Sequence, residues 1–136
     1  MEAAFWSGRL ALQVASEPPE SLSGRFELSG NAGVGQLHLF SPLGQTLAAL
    51  HWAPGDVRLQ AGGQERRFDS TDAMTRQLTG TALPLAALFG WLAGQPSAAP
   101  GWDIDLSRHA DGRLQAQRSA TDAAPAAQLR IILDTP

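Results

Sequence analysis

A β-hairpin is encoded in residues 34–52, VGQLHLFSPLGQTLAALHW. Apolar and polar side chains alternate in both halves of this stretch, which is the two-residue period of a half-buried strand. Between the halves, Pro42 presets the φ angle of a tight turn and Gly44 can adopt a positive φ. The stretch therefore predicts two antiparallel strands, at Val34–Phe40 and Thr46–Trp52.

The same alternation continues on both sides of this hairpin, interrupted by segments rich in glycine and proline. Glycine and proline mark the turns between short strands, because glycine permits a positive φ and proline cannot donate to a sheet ladder. The pattern predicts a mainly β protein of about nine strands. The further strands are predicted at Phe5–Val14, Leu22–Leu28, Val57–Ala61, Glu65–Phe68, Trp102–Leu106, Leu114–Ala116 and Leu129–Leu133.

A small helical insert is predicted at about residues 70–94, where the apolar period changes from two to nearly four. Ser70 is suited to cap a first helix over Thr71–Thr79, which a glycine would end. A second helix is predicted from Leu83 to about Leu92, with Pro84 in its first position. Together the strands and the insert predict one compact domain over residues 1–136.

Composition narrows the classes of function. The net charge of -3 argues against nucleic-acid binding, and the ten basic residues are scattered, the densest group being Arg66-Arg67. This scatter predicts neither a basic stripe nor a polybasic membrane patch. The sequence contains no cysteine, which excludes disulfides and thiolate chemistry, and no apolar run long enough to span a bilayer.

Residue patterns that mark catalytic or metal sites are missing from the sequence. His38, His51 and His109 have no second ligand at helical spacing, and neither a Gly-x-Ser-x-Gly nor a Ser-x-x-Lys motif occurs. The glycines of residues 30–35 open no predicted helix, so they indicate a β-turn rather than a phosphate loop. The sequence predicts no enzyme, no cofactor and no metal site.

Leu43 is the residue that physical reasoning singles out. It lies at the tip of the Ser41–Gly44 turn, where a side chain normally faces water. Isolated exposed leucines are common on protein surfaces and need no special role. The alternative is an apolar finger that enters a membrane or a partner.

Several motifs occur in a fixed order along the chain: Gly8-Arg9-Leu10-Ala11-Leu12, Gly24-Arg25-Phe26, Ser41-Pro42-Leu43-Gly44-Gln45-Thr46, Leu78-Thr79-Gly80-x-x-Leu83-Pro84-Leu85-x-x-Leu88 and Trp91-Leu92-Ala93-Gly94-Gln95-Pro96. In this order the motifs resemble the outer-membrane lipoprotein receptor family LolB, over most of residues 5–134. The Pro-Leu-Gly turn and the two helical motifs are the most specific parts of the resemblance.

The resemblance implies an open, incomplete antiparallel β-barrel capped by short helices, of the LolA/LolB kind. It implies a protein lipid-anchored to the periplasmic face of the outer membrane, which accepts lipoproteins from a LolA-type periplasmic carrier and helps to insert them. Pro42, Leu43 and Gly44 then form the membrane-insertion loop. Residues 1–6 contain no lipobox cysteine and no signal-peptide pattern, so the anchor is expected upstream in the full-length precursor.

An apolar cavity between the sheet and the helices would bind the acyl chains of the lipoprotein. The segment at residues 96–102 is shorter than in the resembled family, which motivates an alternative function. That alternative is a non-enzymatic periplasmic interaction or generic lipid-binding module without lipoprotein transfer. The predicted lining of the cavity is Leu37, Leu39, Leu50, Trp52, Leu59, Met74, Leu85, Leu88, Phe89 and Trp91.

Overall fold

A computed structural model of the chain describes residues 4–99, 101–122 and 124–134. Over these residues it contains nine antiparallel strands in one unclosed sheet, in the order β6-β5-β4-β3-β2-β1-β9-β8-β7. The predicted mainly β class and strand number are therefore confirmed. The strands are β1 Ala4–Val14, β2 Glu20–Gly30, β3 Gly35–Phe40, β4 Thr46–Ala53, β5 Asp56–Ala61, β6 Gln64–Phe68, β7 Trp102–Asp105, β8 Arg113–Arg118 and β9 Ala127–Leu133.

The register of the strands places the apolar side chains on the concave face of the sheet. Leu12 of β1 pairs with Leu22 on β2 and with Leu129 on β9, while Leu50 of β4 pairs with Leu37 on β3 and Leu59 on β5. Because side chains alternate across a strand, these aligned rows produce one continuous apolar surface. That surface is the core of the protein.

Two helices lie across this concave face, α1 at Thr71–Thr79 and α2 at Leu85–Leu92. The side chain of Ser70 accepts a hydrogen bond from the backbone N–H of Ala73 and caps α1, as predicted. The left-handed Gly80 ends α1 with φ 84°, and its N–H donates to the carbonyl of Arg76. We call the segment from α1 to α2 the helical cover.

The start of α2 differs from the prediction. Pro84 precedes the helix with ψ 76° instead of occupying its first turn, and its carbonyl accepts the N–H of Leu88 at 2.9 Å. Leu85 is thus the first helical residue, and Leu83 belongs to the connection between the helices. The preference of proline for the first turn of a helix therefore predicts the start of α2 to within two residues but not its exact boundary.

Two predicted turns also differ in detail. Val34 lies outside β3 because the side chain of Asn31 accepts hydrogen bonds from the N–H groups of Gly33 and Val34 and closes a turn there. The β7–β8 hairpin is present, but a short 3₁₀ helix at His109–Asp111 forms part of its loop. Of the helices in the described part of the chain, neither has the length and hydropathy to cross a bilayer.

Candidate functional site

An apolar cavity lies between the centre of the concave face and the helical cover. Its volume is about 30 Å³, and every lining residue except Thr79 is apolar. An engineered cavity of about 150 Å³ is the size that admits benzene, so a hydrocarbon chain needs the cover to move outward. The lining consists of Leu10, Leu12, Leu22, Leu37, Leu39, Leu50, Leu78, Thr79, Leu83, Pro84, Leu88, Trp91, Leu129 and Ile131.

Half of the residues predicted to line the cavity do so: Leu37, Leu39, Leu50, Leu88 and Trp91. The other predicted residues lie in the surrounding hydrophobic core, where the ring of Phe89 packs against that of Trp52 at 6.3 Å between centroids. The ones in this second group are Trp52, Leu59, Met74, Leu85 and Phe89.

The lining residues that the prediction missed come from the middle of the sheet, from the end of α1 and from the connection between the helices. Leu10 and Leu12 on β1 lie beside Ile131 and Leu129 on β9, although more than 100 positions separate the two strands along the chain. Alternation places each residue on the apolar face but does not reveal which strands are neighbours. The part of the lining that β1 and β9 form therefore depends on strand order, which periodicity does not predict.

Three buried threonines hold the helical cover together. The hydroxyl of Thr75 accepts the backbone N–H of Leu83 at 3.0 Å. The hydroxyl of Thr79 lies within hydrogen-bond distance of the carbonyls of Thr75 and Thr81, at 2.9 and 2.6 Å. These bonds connect α1 to the chain segment that enters α2, so the two helices are expected to move as one unit.

Replacing Thr75 with valine is expected to lower the free energy of unfolding by about 1–3 kcal/mol, because the Leu83 N–H is left without its acceptor while the shape of the side chain is kept. Urea denaturation measures the change. Thr71→Val is a suitable control, since the structure shows only the backbone carbonyl of Thr71, and not its side chain, in a bond to Thr75. Equal stability of Thr75→Val and the unmodified protein would contradict this assignment.

Leu43 is displayed at the end of the β3–β4 hairpin by a closed turn. The N–H of Gly44 donates to the carbonyl of Ser41 at 2.9 Å, and the N–H of Ser41 donates to the carbonyl of Gln45 at 2.8 Å. Gly44 adopts φ 88°, as the turn prediction requires. The side chain of Leu43 is 90% exposed, the highest exposure among the large apolar side chains of the described residues.

The convex face of the sheet carries a group of arginines that the sequence did not reveal. Arg9 on β1 lies directly opposite Arg25 on β2, and Arg113 and Arg130 occupy the same face of β8 and β9. The prediction that the chain contains no basic cluster is wrong for this face, because strand pairing collects residues that are far apart in sequence. We call these four residues the arginine group.

One carboxylate, that of Asp134, is bound within the arginine group. Its Oδ2 atom lies 2.6 Å from Nη2 of Arg25 and accepts a hydrogen bond from the hydroxyl of Ser7 at 2.8 Å. The hydrogen bond from Ser7, followed by the bond and charge of Arg25 and the charge of Arg9, holds the pKa of Asp134 below its ordinary value. Asp134 therefore compensates mainly the charge of Arg25.

The three histidines lie at two separate places in the structure. His38 and His51 face each other on the convex face with ring centroids 5.9 Å apart, while Nε2 of His109 lies 2.8 Å from the carbonyl of Leu92. Among residues 4–99, 101–122 and 124–134, no group of three or more His, Asp or Glu side chains is arranged to bind a metal ion. His109 instead connects the β7–β8 loop to the end of α2.

The stability of the protein is expected to fall on acidification through pH 6.5, the ordinary pKa of histidine. Burial, then the charges of Arg58 and His38, lower the pKa of His51 in the folded state. The unfolded chain binds a proton at this site before the folded chain does, so acid favours unfolding. Urea denaturation at pH 7.5 and 5.5 measures the effect, and His51→Gln should reduce the difference between the two pH values. The same pH dependence in His51→Gln would contradict this origin.

A single open antiparallel sheet with a helical cover on its concave face defines the class of LolA/LolB-like folds. A sequence profile described as "Outer membrane lipoprotein LolB" matches residues 5–128. The chain belongs to the LolB family.

Individual relatives agree with this assignment. "Outer-membrane lipoprotein LolB" of Chromobacterium violaceum is 35% identical over 127 residues, which cover 84% of this chain and 68% of that protein. Proteins of the same name from Thiobacillus denitrificans and Cupriavidus pinatubonensis are 40% and 34% identical, over 65% and 70% of this chain. The chain spans about half the length of these two relatives, 47% and 45%.

Proposed function

We propose that this chain binds lipoprotein acyl chains beneath its helical cover and helps to insert the lipoproteins into the outer membrane. Residues 1–136 would act as one domain without catalytic activity, on the periplasmic face of that membrane, with a lipid anchor supplied by the full-length precursor. The donor would be a LolA-type periplasmic carrier. The observation that carries the proposal is the apolar cavity between the sheet and the helical cover.

The energetics of the cavity favour a cargo without specific polar contacts. Burying a methylene group contributes roughly 0.8 kcal/mol, so an acyl chain of a dozen carbons offers enough free energy to displace packed side chains. The cover contacts the sheet through apolar packing. The strands that lie nearest to α1 are β2, β5 and β6. Outward movement of the cover would expose the leucines of the central strands to the acyl chain. Because the bilayer interior offers the acyl chain an equal gain in free energy and the binding is reversible, the acyl chain could leave the cavity again.

Leu43 supports the second step, in which the cargo enters the membrane. Its side chain is held out by a hydrogen-bonded turn and contributes nothing to the core. Inserting a leucine side chain into apolar surroundings contributes roughly 1.5–3 kcal/mol. The Pro42-Leu43-Gly44 loop would therefore bring the cavity to the lipid surface.

The small size of the cavity favours a second candidate function. With only about 30 Å³ of free space, the interior between the sheet and the helical cover is close to fully packed. A periplasmic interaction module, or a generic lipid-binding module without lipoprotein transfer, needs no larger space. This candidate predicts that hydrocarbon chains do not enter the interior.

Displacement of a fluorescent fatty acid separates the two candidates. We expect saturable binding of one acyl chain, together with co-purified lipid in native mass spectrometry. Leu39→Glu, which places a charge in the cavity wall, should abolish binding, whereas Gln36→Glu on the convex side of the same strand should not. Because Leu39→Glu also threatens folding, Leu39→Met serves as the milder variant. Absence of acyl binding by the unmodified protein would favour the interaction module.

Transfer itself is tested with a loaded LolA-type carrier and outer-membrane vesicles. The lipoprotein should appear in the vesicle fraction only when this protein is added. If acyl chains bind but the lipoprotein remains with its carrier, the chain is a lipid-binding module without transfer activity.

A further inference from the structure

The arginine group is arranged as a line across the convex face. Arg9 on β1 is the direct cross-strand partner of Arg25 on β2 and of Ile132 on β9. Ile132 is in turn the partner of Arg113 on β8. Arg130 lies two residues before Ile132, so it occupies the same face in the next row.

Like charges in direct cross-strand register destabilise a sheet, so the pairing of Arg9 with Arg25 is unfavourable in itself. Asp134 offsets the charge of Arg25. Among the described residues no carboxylate lies within ion-pair distance of Arg9, Arg113 or Arg130. Three guanidinium groups without an ion pair, on a protein with a net charge of -3, give this face a local excess of positive charge that suits a ligand of opposite charge.

A second pair of opposed arginines shows the usual compensation. Arg58 on β5 lies opposite Arg67 on β6. The guanidinium of Arg58 is 3.0 Å from a carboxylate oxygen of Asp56 and 3.5 Å from one of Glu65. Arg67, like Arg9, has no ion pair among the described residues, so the two opposed pairs are alike in that one arginine is paired and the other is not. The arginine group differs because Arg113 and Arg130 add two further unpaired charges to the same face.

Three members of the arginine group border an open groove with an apolar wall. The groove has a volume of about 450 Å³ and is bordered by Arg9, Arg25 and Arg130 together with Pro42 and Ile132. The side chain of Ile132 is 49% exposed beside the arginines. Because Pro42 forms part of the wall, the exposed Leu43 is one residue away from the groove.

We propose that this groove binds the phosphate headgroups of an anionic bilayer surface. Guanidinium groups match phosphate oxygens in a two-bond geometry, and all ten basic residues of the chain are arginines. The exposed apolar side chains at the groove distinguish a lipid surface from a dissolved anion, because they gain free energy only at an apolar boundary. The groove would orient the protein so that the insertion loop faces the membrane, and in that respect it rests on the proposed function.

Vesicle sedimentation tests the proposal, with phosphatidylcholine vesicles compared with vesicles in which phosphatidylglycerol makes up about one third of the lipid. The double variant Arg9→Gln/Arg130→Gln should bind the phosphatidylglycerol vesicles roughly 10- to 30-fold more weakly than the unmodified protein. The matched control, Arg67→Gln/Arg76→Gln, removes the same charge from exposed positions outside the groove. It should retain binding to within about twofold.

Three further measurements make the outcome decisive. Arg9→Gln should leave the free energy of unfolding unchanged or raise it, because it relieves the repulsion with Arg25. Raising the salt concentration to about 0.5 M should remove the preference for phosphatidylglycerol. Fatty-acid binding by Arg9→Gln/Arg130→Gln should equal that of the unmodified protein, so failure of the acyl-binding proposal and failure of this one give different results.

Three results would overturn the proposal. One is equal binding of the groove variant and the control variant to phosphatidylglycerol vesicles. Another is competition by inorganic phosphate without any vesicle preference, which would assign the groove to a dissolved anion. The third is a loss of affinity for the carrier protein without a loss of vesicle binding, which would assign it to an acidic protein surface.

Discussion

Replacing Leu43 with glutamate is expected to slow the insertion of lipoproteins into vesicles at least about 10-fold without changing the free energy of unfolding. The side chain is 90% exposed and makes no packing contribution to the folded state, so its replacement should not lower the free energy of unfolding. Losing the apolar contact with the membrane should weaken insertion by roughly 1.5–3 kcal/mol, or about 10- to 100-fold, and the new carboxylate adds repulsion from an anionic surface. The measurement is the rate at which labelled lipoprotein moves from carrier to vesicles.

Val34→Glu is the matched control for this experiment. Val34 is also an exposed apolar residue in a turn, with an exposure of 56%, but its turn precedes β3 and therefore lies at the other end of the same strand. Leu43→Phe should keep activity, because it preserves an apolar tip. A transfer rate of Leu43→Glu equal to that of Val34→Glu would remove the loop from the mechanism.

Replacing Trp91 with alanine is expected to lower the free energy of unfolding by about 3–5 kcal/mol and to strengthen fatty-acid binding. Trp91 is 1% exposed, lines the cavity and donates its indole N–H to the carbonyl of Ser97 at 2.8 Å. Its ring also packs against that of Trp102 at 6.3 Å between centroids. Removing the indole joins its volume to the existing cavity, so an acyl chain needs less displacement of the cover to enter.

Urea denaturation with and without a saturating fatty acid measures both effects. The added stability from ligand should be larger for Trp91→Ala than for the unmodified protein at the same ligand concentration, because a ligand that binds only the folded state stabilises it by an amount that grows with the logarithm of its affinity. Leu88→Ala, which also removes a buried side chain from the cavity wall, serves if Trp91→Ala does not fold. Destabilisation without any gain in ligand-dependent stability would show that acyl chains do not use this cavity.

Local features of the fold were predictable because they depend on neighbouring residues. Helix α1 was predicted with its observed bounds, since Ser70 and Gly80 each carry a specific capping geometry. The exposure of Leu43 followed from the proline and glycine that surround it. In each case a few adjacent residues determine the backbone, so the sequence contains the whole signal.

Features that depend on strand order were not predictable from the pattern. The central lining of the cavity requires β1 to lie beside β9, and the arginine group requires β8, β9, β1 and β2 to be consecutive in the sheet. Alternation assigned the face of each residue but left its neighbours undetermined. The ten arginines are scattered along the sequence, as on an ordinary solvated surface. Only the register of the strands shows that four of them share one face.

An unclosed sheet has two edge strands whose free N–H and carbonyl groups invite pairing with other chains. In this protein β6 carries Glu65, Arg66 and Arg67 in succession, and β7 is only four residues long with Asp103 and Asp105 along it. Adding a foreign strand at either border would place it against charged side chains or offer it very few bonds. The sheet can thus stay unclosed and still resist fibril formation and self-association.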